Sequence, residues 1–305
     1  MANGVTRSAA NRHCQPRSAY IHIPFCRHRC GYCNFSVVSG RDELIDRFLD
    51  AIDKELALLE RPTLDTLFVG GGTPTHLDER QTIRLLEIIH ARFELEDGAE
   101  LTVEANPEDI RLDGLKTLRS YGVNRISLGV QSFHKAKIDS LERSHDGGSA
   151  SLAIERCAEV IGNTSIDLIF GAPGEDLMIW KSDLDAAFRL PICHLSTYAL
   201  TIEKGTRFFA RRQHGKLARP TEDLDLAMYE AASSASKLAG MTHYEISSFA
   251  KRGARCRHNL AYWKGEGWYA AGPGAARFVY GVREVNHRSP TTYLKRIEAG
   301  DDPTT

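Results

Sequence analysis

Apolar residues along this chain follow two rhythms that take turns. Short strand-like runs occur at Ala19 to Ile23, Thr66 to Val69, Glu100 to Glu104, Arg125 to Gly129, Ser165 to Phe170 and His194 to Leu200. Between them, apolar positions recur every three or four residues, the period of an amphipathic helix. Over Arg41 to Glu60 the series Leu44, Ile45, Phe48, Leu49, Ile52, Leu56 and Leu59 marks one such face. Glu79 to Phe93, Leu112 to Tyr121, Ser149 to Val160 and Met178 to Leu190 repeat the pattern. Strand followed by helix, over and over, predicts a parallel sheet wrapped by helices.

Periodicity alone fits an open doubly wound sheet or a partial (β/α) barrel, because both bury parallel strands. The polar residues favour the second. Cys26, the run Gly70 to Thr73, Glu104, Gln131 and Asp167 fall at the C-terminal ends of different strands. A barrel gathers those ends at one mouth. We therefore expect an α/β fold with a partial (β/α)6 barrel over residues 18–200, preceded by a disordered tail at residues 1–17. Beyond Leu200 the rhythm stops. A helix around Leu224 to Ala239 leads into a segment rich in aromatic residues and glycine, which reads as a small C-terminal α+β extension over residues 201–305. No further helix pattern is visible toward Thr305.

Composition narrows the function classes. With 305 residues, 42% apolar and 26% charged, the chain can bury a substantial core. A formal charge of −1 supplies no global field to gather nucleic acid, so binding has to come from a local site. No apolar run approaches the ~18 residues needed to cross a bilayer, and the start of the chain lacks the apolar stretch of a secretory signal. The expectation is a cytoplasmic protein with no nucleic acid and no membrane insertion. Seven cysteines, an odd number spread unevenly in a long chain, argue for reduced thiols over a disulfide framework.

Three of those thiols carry the chemistry. Cys26, Cys30 and Cys33 lie within eight residues on one loop after the first strand, with Gly31 between them. Short runs of cysteine hold iron–sulfur clusters, and a four-iron cluster normally takes four protein ligands. Only three are local here, which leaves one iron open to an exogenous donor. Zinc held by three sulfurs and His22 or His28 is the competing reading, although zinc sites usually pair two short cysteine knuckles from different segments.

The stretch "YIHIPFCRHRCGYCNF" resembles the signature of radical S-adenosylmethionine enzymes, in the oxygen-independent coproporphyrinogen oxidase-like branch. The resemblance implies a [4Fe-4S] cluster on the three cysteines, chelated at its fourth iron by the methionine end of S-adenosyl-L-methionine. One electron from the reduced cluster would then cleave the sulfonium to a 5'-deoxyadenosyl radical. It implies further that Gly71, Gly72 and Thr73 of "GGGTP" meet the methionine amino group. Glu104 in "VEANP", Gln131 in "GVQSF", Arg143 in "LERSH" and Asp167 in "IDLIFGAP" would surround the rest of the cofactor. Their chemistry suits the task, since carboxylates accept from ribose hydroxyls or an ammonium and arginine forks onto a carboxylate. Tyr20 and Tyr32 align with contacts near the cluster.

Phe35 stands where the true oxidases carry an additional cysteine, and the pattern Cys-x-x-x-Cys-x-Tyr-Cys-x-Phe instead resembles the HemW-type heme chaperones. "HNLAYW", His258 to Trp263, matches a motif implicated in heme binding in that branch. Histidine can ligate heme iron while Tyr262 and Trp263 offer flat faces to a macrocycle. Cys256 is an alternative ligand. The resemblance implies a heme chaperone that transfers heme to an acceptor hemoprotein, with peripheral membrane contact where that acceptor is membrane-bound. Oxidative decarboxylation of coproporphyrinogen III, two propionates becoming vinyls, is the alternative. The chain departs from the branch at Gly274, Ala275 and Ala276, where relatives commonly read Gly-Ala-His, and its C-terminal helical domain reads as cut short.

Overall fold

A computed structural model describes residues 15–305. In chain order its elements are β1 (Ser18–Ile23), β2 (Phe25–Cys26), β3 (Val38–Ser39), α1 (Ile45–Leu56), β4 (Thr63–Gly71), α2 (Glu79–Arg92), β5 (Glu94–Ala105), α3 (Leu112–Ser120), β6 (Arg125–Gln131), α4 (Lys135–Ser140), α5 (Gly147–Val160), β7 (Asn163–Phe170), α6 (Leu177–Phe188) and β8 (His194–Ala199). There follow α7 (Arg207–Gln213), α8 (Glu222–Leu238), β9 (Thr242–Glu245), β10 (Ser248–Ala250), α9 (Arg257–Trp263), β11 (Trp268–Ala271), β12 (Ala276–Val279), β13 (Val282–Val285) and α10 (Pro290–Ala299).

Strands β1, β4, β5, β6, β7 and β8 pair in that order, every pair parallel. Each begins one of the six βα units expected from the sequence. Their registers sort side chains onto two very different faces. Tyr20, Phe68, Thr102 and Arg125 form one cross-strand row, and Glu104, Ser127, Ser165 and His194 lie in the next. The intervening positions, Ile21, Val69, Val103 and Ile126, are buried in the apolar core with Phe48, Leu49 and Ile52 of α1 and Leu85 and Ile89 of α2. Burying each such side chain stabilises the fold by about 1.5–3 kcal/mol. Residues of the polar face from β1, β4, β5, β6, β7 and β8 border a single cavity of about 180 Å³, so the sheet curls around them. This is a partial barrel: the strand order runs open from β13 to β9, with no pairing between those edges.

Aspartates start three of the five helices the periodicity identified. Asp78 and Asp146 form capping boxes with Gln81 and Ser149, and Asp176 accepts from Met178 N and Ile179 N, meeting helix N–H groups that otherwise lack partners.

The segment from residue 201 onward is built into the same sheet. Strand β10 joins β8 antiparallel and β9 follows it, while β11 joins β1 parallel and carries β12 and β13 outward. The expectation of no helix near the end is corrected by α10, which packs Tyr293, Leu294 and Ile297 inward. Its punctuation was in the sequence: Ser289 caps the start, Pro290 takes the first turn and Gly300 adopts a left-handed φ of 78° at the end. Of the tail expected at residues 1–17, residues 1–14, with Cys14, lie outside the described residues. Arg17 is anchored, with Nη2 2.7 Å from Asp65 and 2.8 Å from Glu96. Among the described residues no helix is long and apolar enough to cross a membrane.

Candidate functional site

Strand β1 ends at Pro24, and the cysteine loop opens there. Two short strands clamp it, β2 pairing parallel with β3. The sulfurs of Cys26, Cys30 and Cys33 turn toward the C-terminal mouth of the barrel and border one cavity of about 140 Å³. Gly71, Gly72, Thr73, Glu104, Gln131, Arg143, Asp167 and Tyr32 line the same cavity. Residues scattered over more than 140 positions are therefore brought to one place. Tyr20 is the exception among the residues expected to meet the cofactor. Its hydroxyl shares a hydrogen bond with His22 Nδ1 at 3.0 Å, and its ring faces the lumen below.

Glycine is required where the GGGTP turn passes the cluster loop. Gly71 holds a φ of 105°, and a Cβ there would lie 2.4 Å from the His22 ring. At Gly72 a Cβ would meet the Phe25 carbonyl at 2.6 Å. This approach lets Gly72 N–H donate to Ile23 O at 2.7 Å and Thr73 N–H to Phe25 O at 2.8 Å, locking the turn to the loop. The Thr73 hydroxyl reaches Cys26 Sγ at 3.5 Å.

Glu104 accepts from Gly71 N–H at 2.8 Å, and burial together with the nearby Asp167 pushes its carboxyl up to about 7. Asp167 is raised by burial as well. Arg143 Nη2 donates to Asn106 Oδ1 and to Gly129 O, each at 2.7 Å, and Nη1 lies 3.6 Å from Cys30 Sγ. Its Nε and the Oε1 of Gln131 are buried without a partner among the described residues. Gln131 sits at a φ of 65°, a conformation that a non-glycine residue adopts at a cost of about 1–3 kcal/mol and that clusters at functional sites. Burial pushes Cys26 up to about 12 and raises Cys33, so both thiols keep their protons until a metal displaces them.

Asn106 went unnoticed in the sequence although it stands inside the quoted VEANP motif. Its amide donates to Thr73 Oγ1 at 2.8 Å while its oxygen takes Arg143, so it ties the glycine turn to the arginine. No three His, Cys, Asp or Glu side chains among the described residues converge tightly enough for a single metal ion. His22, offered as a fourth zinc ligand, has both ring nitrogens engaged, with the Tyr20 hydroxyl and Ser36 O. Three thiols spread around one cavity suit a polynuclear cluster, whose ligands attach at separate irons.

At the opposite mouth, α9 plugs the barrel. Arg257 N–H and His258 N–H donate to Glu100 at 3.0 and 3.1 Å, and the Cys256 thiol reaches the same carboxylate at 3.5 Å. His258 is fully buried beneath Phe68, with Nδ1 3.0 Å from Thr66 Oγ1 and Nε2 2.7 Å from the Tyr262 hydroxyl. Burial and Arg125 hold it neutral, pushing it down to about 3. Its ring nitrogens are thus occupied, and Cys256 is buried too. Tyr262 and Trp263 are 38% and 56% exposed, the outward faces of the HNLAYW motif. Phe35, at 62% exposure, lines the rim of the cysteine cavity.

The family model of the Radical SAM superfamily matches residues 20–185. The heme chaperone HemW of Bacillus subtilis is 39% identical over 92% of this chain and 76% of its own length. That of Mycobacterium tuberculosis is 39% identical over 95% of this chain and 76% of its own. Coproporphyrinogen III oxidase (HemN) from Escherichia coli, described as a radical SAM enzyme, superposes with a TM-score of 0.84 at 24% identity, covering 97% of this chain and 72% of that one. The sulfur-lined mouth of a curled parallel sheet and these likenesses agree: the chain belongs to the Radical SAM superfamily and, within it, to the HemW heme chaperone family.

Proposed function

We propose that the chain carries a [4Fe-4S] cluster on Cys26, Cys30 and Cys33, binds S-adenosylmethionine beside it, and takes up heme for delivery to an acceptor hemoprotein. The observation that carries the reading is the single cavity shared by the three cysteines with Gly71, Gly72, Thr73, Glu104, Gln131, Arg143 and Asp167. When bound, the cluster would supply an electron for cleaving the sulfonium. The chain's own residues would hold the pair in register. Glu104 offers a carboxylate to the methionine amino group and Arg143 a cation to its carboxylate. Asp167 would take ribose hydroxyls, and Gln131 has an unmatched amide oxygen to offer.

Heme would rest on the exposed faces of Tyr262 and Trp263, and His258 would reach its iron by releasing Tyr262. The names of the relatives support heme as cargo. Cluster thiols need a reducing compartment, which supports the cytoplasm. The acceptor is a hemoprotein, reached by peripheral contact where it is membrane-bound.

Anaerobic reconstitution tests the cluster: four irons per chain and a spectral change on adding S-adenosylmethionine are expected, both lost in Cys30→Ala. Titration with hemin should produce a Soret band that weakens in Trp263→Ala, and His258→Ala should shift its position. A Soret spectrum identical in wild type and His258→Ala would remove the imidazole from the account. Vinyl product from coproporphyrinogen under reducing conditions would replace the chaperone reading with the oxidase one.

A further inference from the structure

Between the two mouths the lumen holds the polar cavity of about 180 Å³, bounded by Tyr20, Phe68, Tyr198, His258, Asn259 and Tyr262. It adjoins the cofactor cavity, since Glu104, Ser127 and Asp167 border both. Arg125 projects into this space from the start of β6. The residue is 2% exposed, and its Nε and Nη1 are buried with no hydrogen-bond partner among the described residues. Arginine stays charged in such a place. Nearby acids balance the charge without matching its geometry. Glu100 spends its oxygens on Arg257 N–H, His258 N–H and Cys256, and Asp167 faces the Ser127 hydroxyl at 3.4 Å.

We propose that Arg125 receives a carboxylate of the heme docked on α9, a propionate arm entering the lumen beside Tyr262. The proposal rests on the heme reading above. Tyr262 marks the entry because its ring is partly exposed while its hydroxyl lies inside against His258. The cavity is smaller than the ~300 Å³ at which ligand pockets begin, so it excludes a macrocycle and admits a short arm. A guanidinium fork is matched to a carboxylate, and a buried pair of this kind gains from the low local dielectric. Glu104 and Asp167 oppose an incoming anion less than their number suggests, because burial beside Asp167 pushes Glu104 up to about 7, its charge would be met by S-adenosylmethionine on the cofactor side, and Asp167 is engaged by the Ser127 hydroxyl.

Hemin and hemin dimethyl ester, whose propionates are blocked, separate the possibilities on the reconstituted full chain. Wild type should bind the ester about tenfold more weakly or worse, and Arg125→Gln should bind acid and ester alike. If the Gln variant does not fold, Arg125→Lys keeps the charge and shortens the fork, and its preference for the acid must fall. Equal affinity of wild type for acid and ester overturns the role of Arg125 and leaves heme binding standing. An acid preference that survives in the Arg125 variants assigns the propionate to another cation and overturns the proposal. Binding of neither overturns this inference together with the heme reading.

Discussion

Glu104 sits where two demands on one carboxyl conflict. Folding buries it beside Asp167 and pushes it up to about 7, whereas accepting from the amino group of a bound S-adenosylmethionine needs it ionised. In the unfolded chain the same group loses its proton near 4.5. Between those values the native state binds more protons than the unfolded state, so stability falls as pH rises. The contribution is complete below about 4.5 and is lost through about pH 7, at a cost of roughly 3 kcal/mol at most. Accepting from the amino group of S-adenosylmethionine favours the ionised form and offsets the penalty. The melting temperature should therefore rise more on adding S-adenosylmethionine at pH 8 than at pH 6, and Glu104→Gln should abolish that difference. An increment independent of pH in wild type would show that Glu104 does not meet the amino group.

At the scale of elements, the loop that follows Gln131 and the helix before Arg143 depend on a buried ion cluster. Lys137 of α4 reaches Glu175 at 2.5 Å and Asp183 at 2.9 Å, and Asp183 also accepts from Ser132 Oγ and Phe133 N–H. All three charged side chains are buried. Lys137→Met leaves two carboxylates facing each other without a cation, which costs about 3–5 kcal/mol. Urea unfolding measures that loss, and a change below 1 kcal/mol would mean the acids take up protons or water instead. None of this was legible in the sequence, because Lys137 and Asp183 look like surface charges on short helices until the turns fold together. The crossover helices were legible, since α1 and α2 each bury one stripe at helical period. The cysteine loop and GGGTP were legible as motifs, because each motif lies on a single loop. Arg125 and Asn106 were not, for their meaning comes from strands far apart in sequence. A further signal lies in the strands themselves. Runs such as ELTVEA and RISLGVQ alternate polar with apolar residues, whereas a sheet covered by helices on both faces would read apolar throughout. That alternation is the mark of a polar lumen.

For the whole molecule, the division at residue 200 that the rhythm suggested competes with how the sheet is assembled. Its two edges are completed by the later chain, β11 on β1 and β10 on β8. The join is chemical as well as topological. Glu55 of α1 is buried, raised by that burial, and held by Gly272 N–H at 2.9 Å, Asn286 Nδ2 at 2.6 Å and the Tyr293 hydroxyl at 2.6 Å. Removing everything after Leu200 would take away every partner of this carboxyl, uncover Phe48 where it packs on Tyr293, and bare the backbone edge of β1 at Ser18 to Ile21 and of β8 at His194 to Ser196. Unpaired strand edges invite association between chains. A chain ending at Leu200 should therefore aggregate or unfold without a cooperative transition, although it contains Cys26, Cys30 and Cys33 and all six parallel strands. The Glu55→Gln variant of the full chain keeps the shape and one acceptor oxygen for Gly272 N–H and the Tyr293 hydroxyl but sets an amide donor against Asn286 Nδ2, so it should fold and lose about 1–3 kcal/mol. Circular dichroism with size-exclusion chromatography distinguishes the cases. A monomeric, cooperatively melting product from the shortened chain would mean that the six parallel strands and the helices between them suffice and that the later strands are an addition to a core already stable.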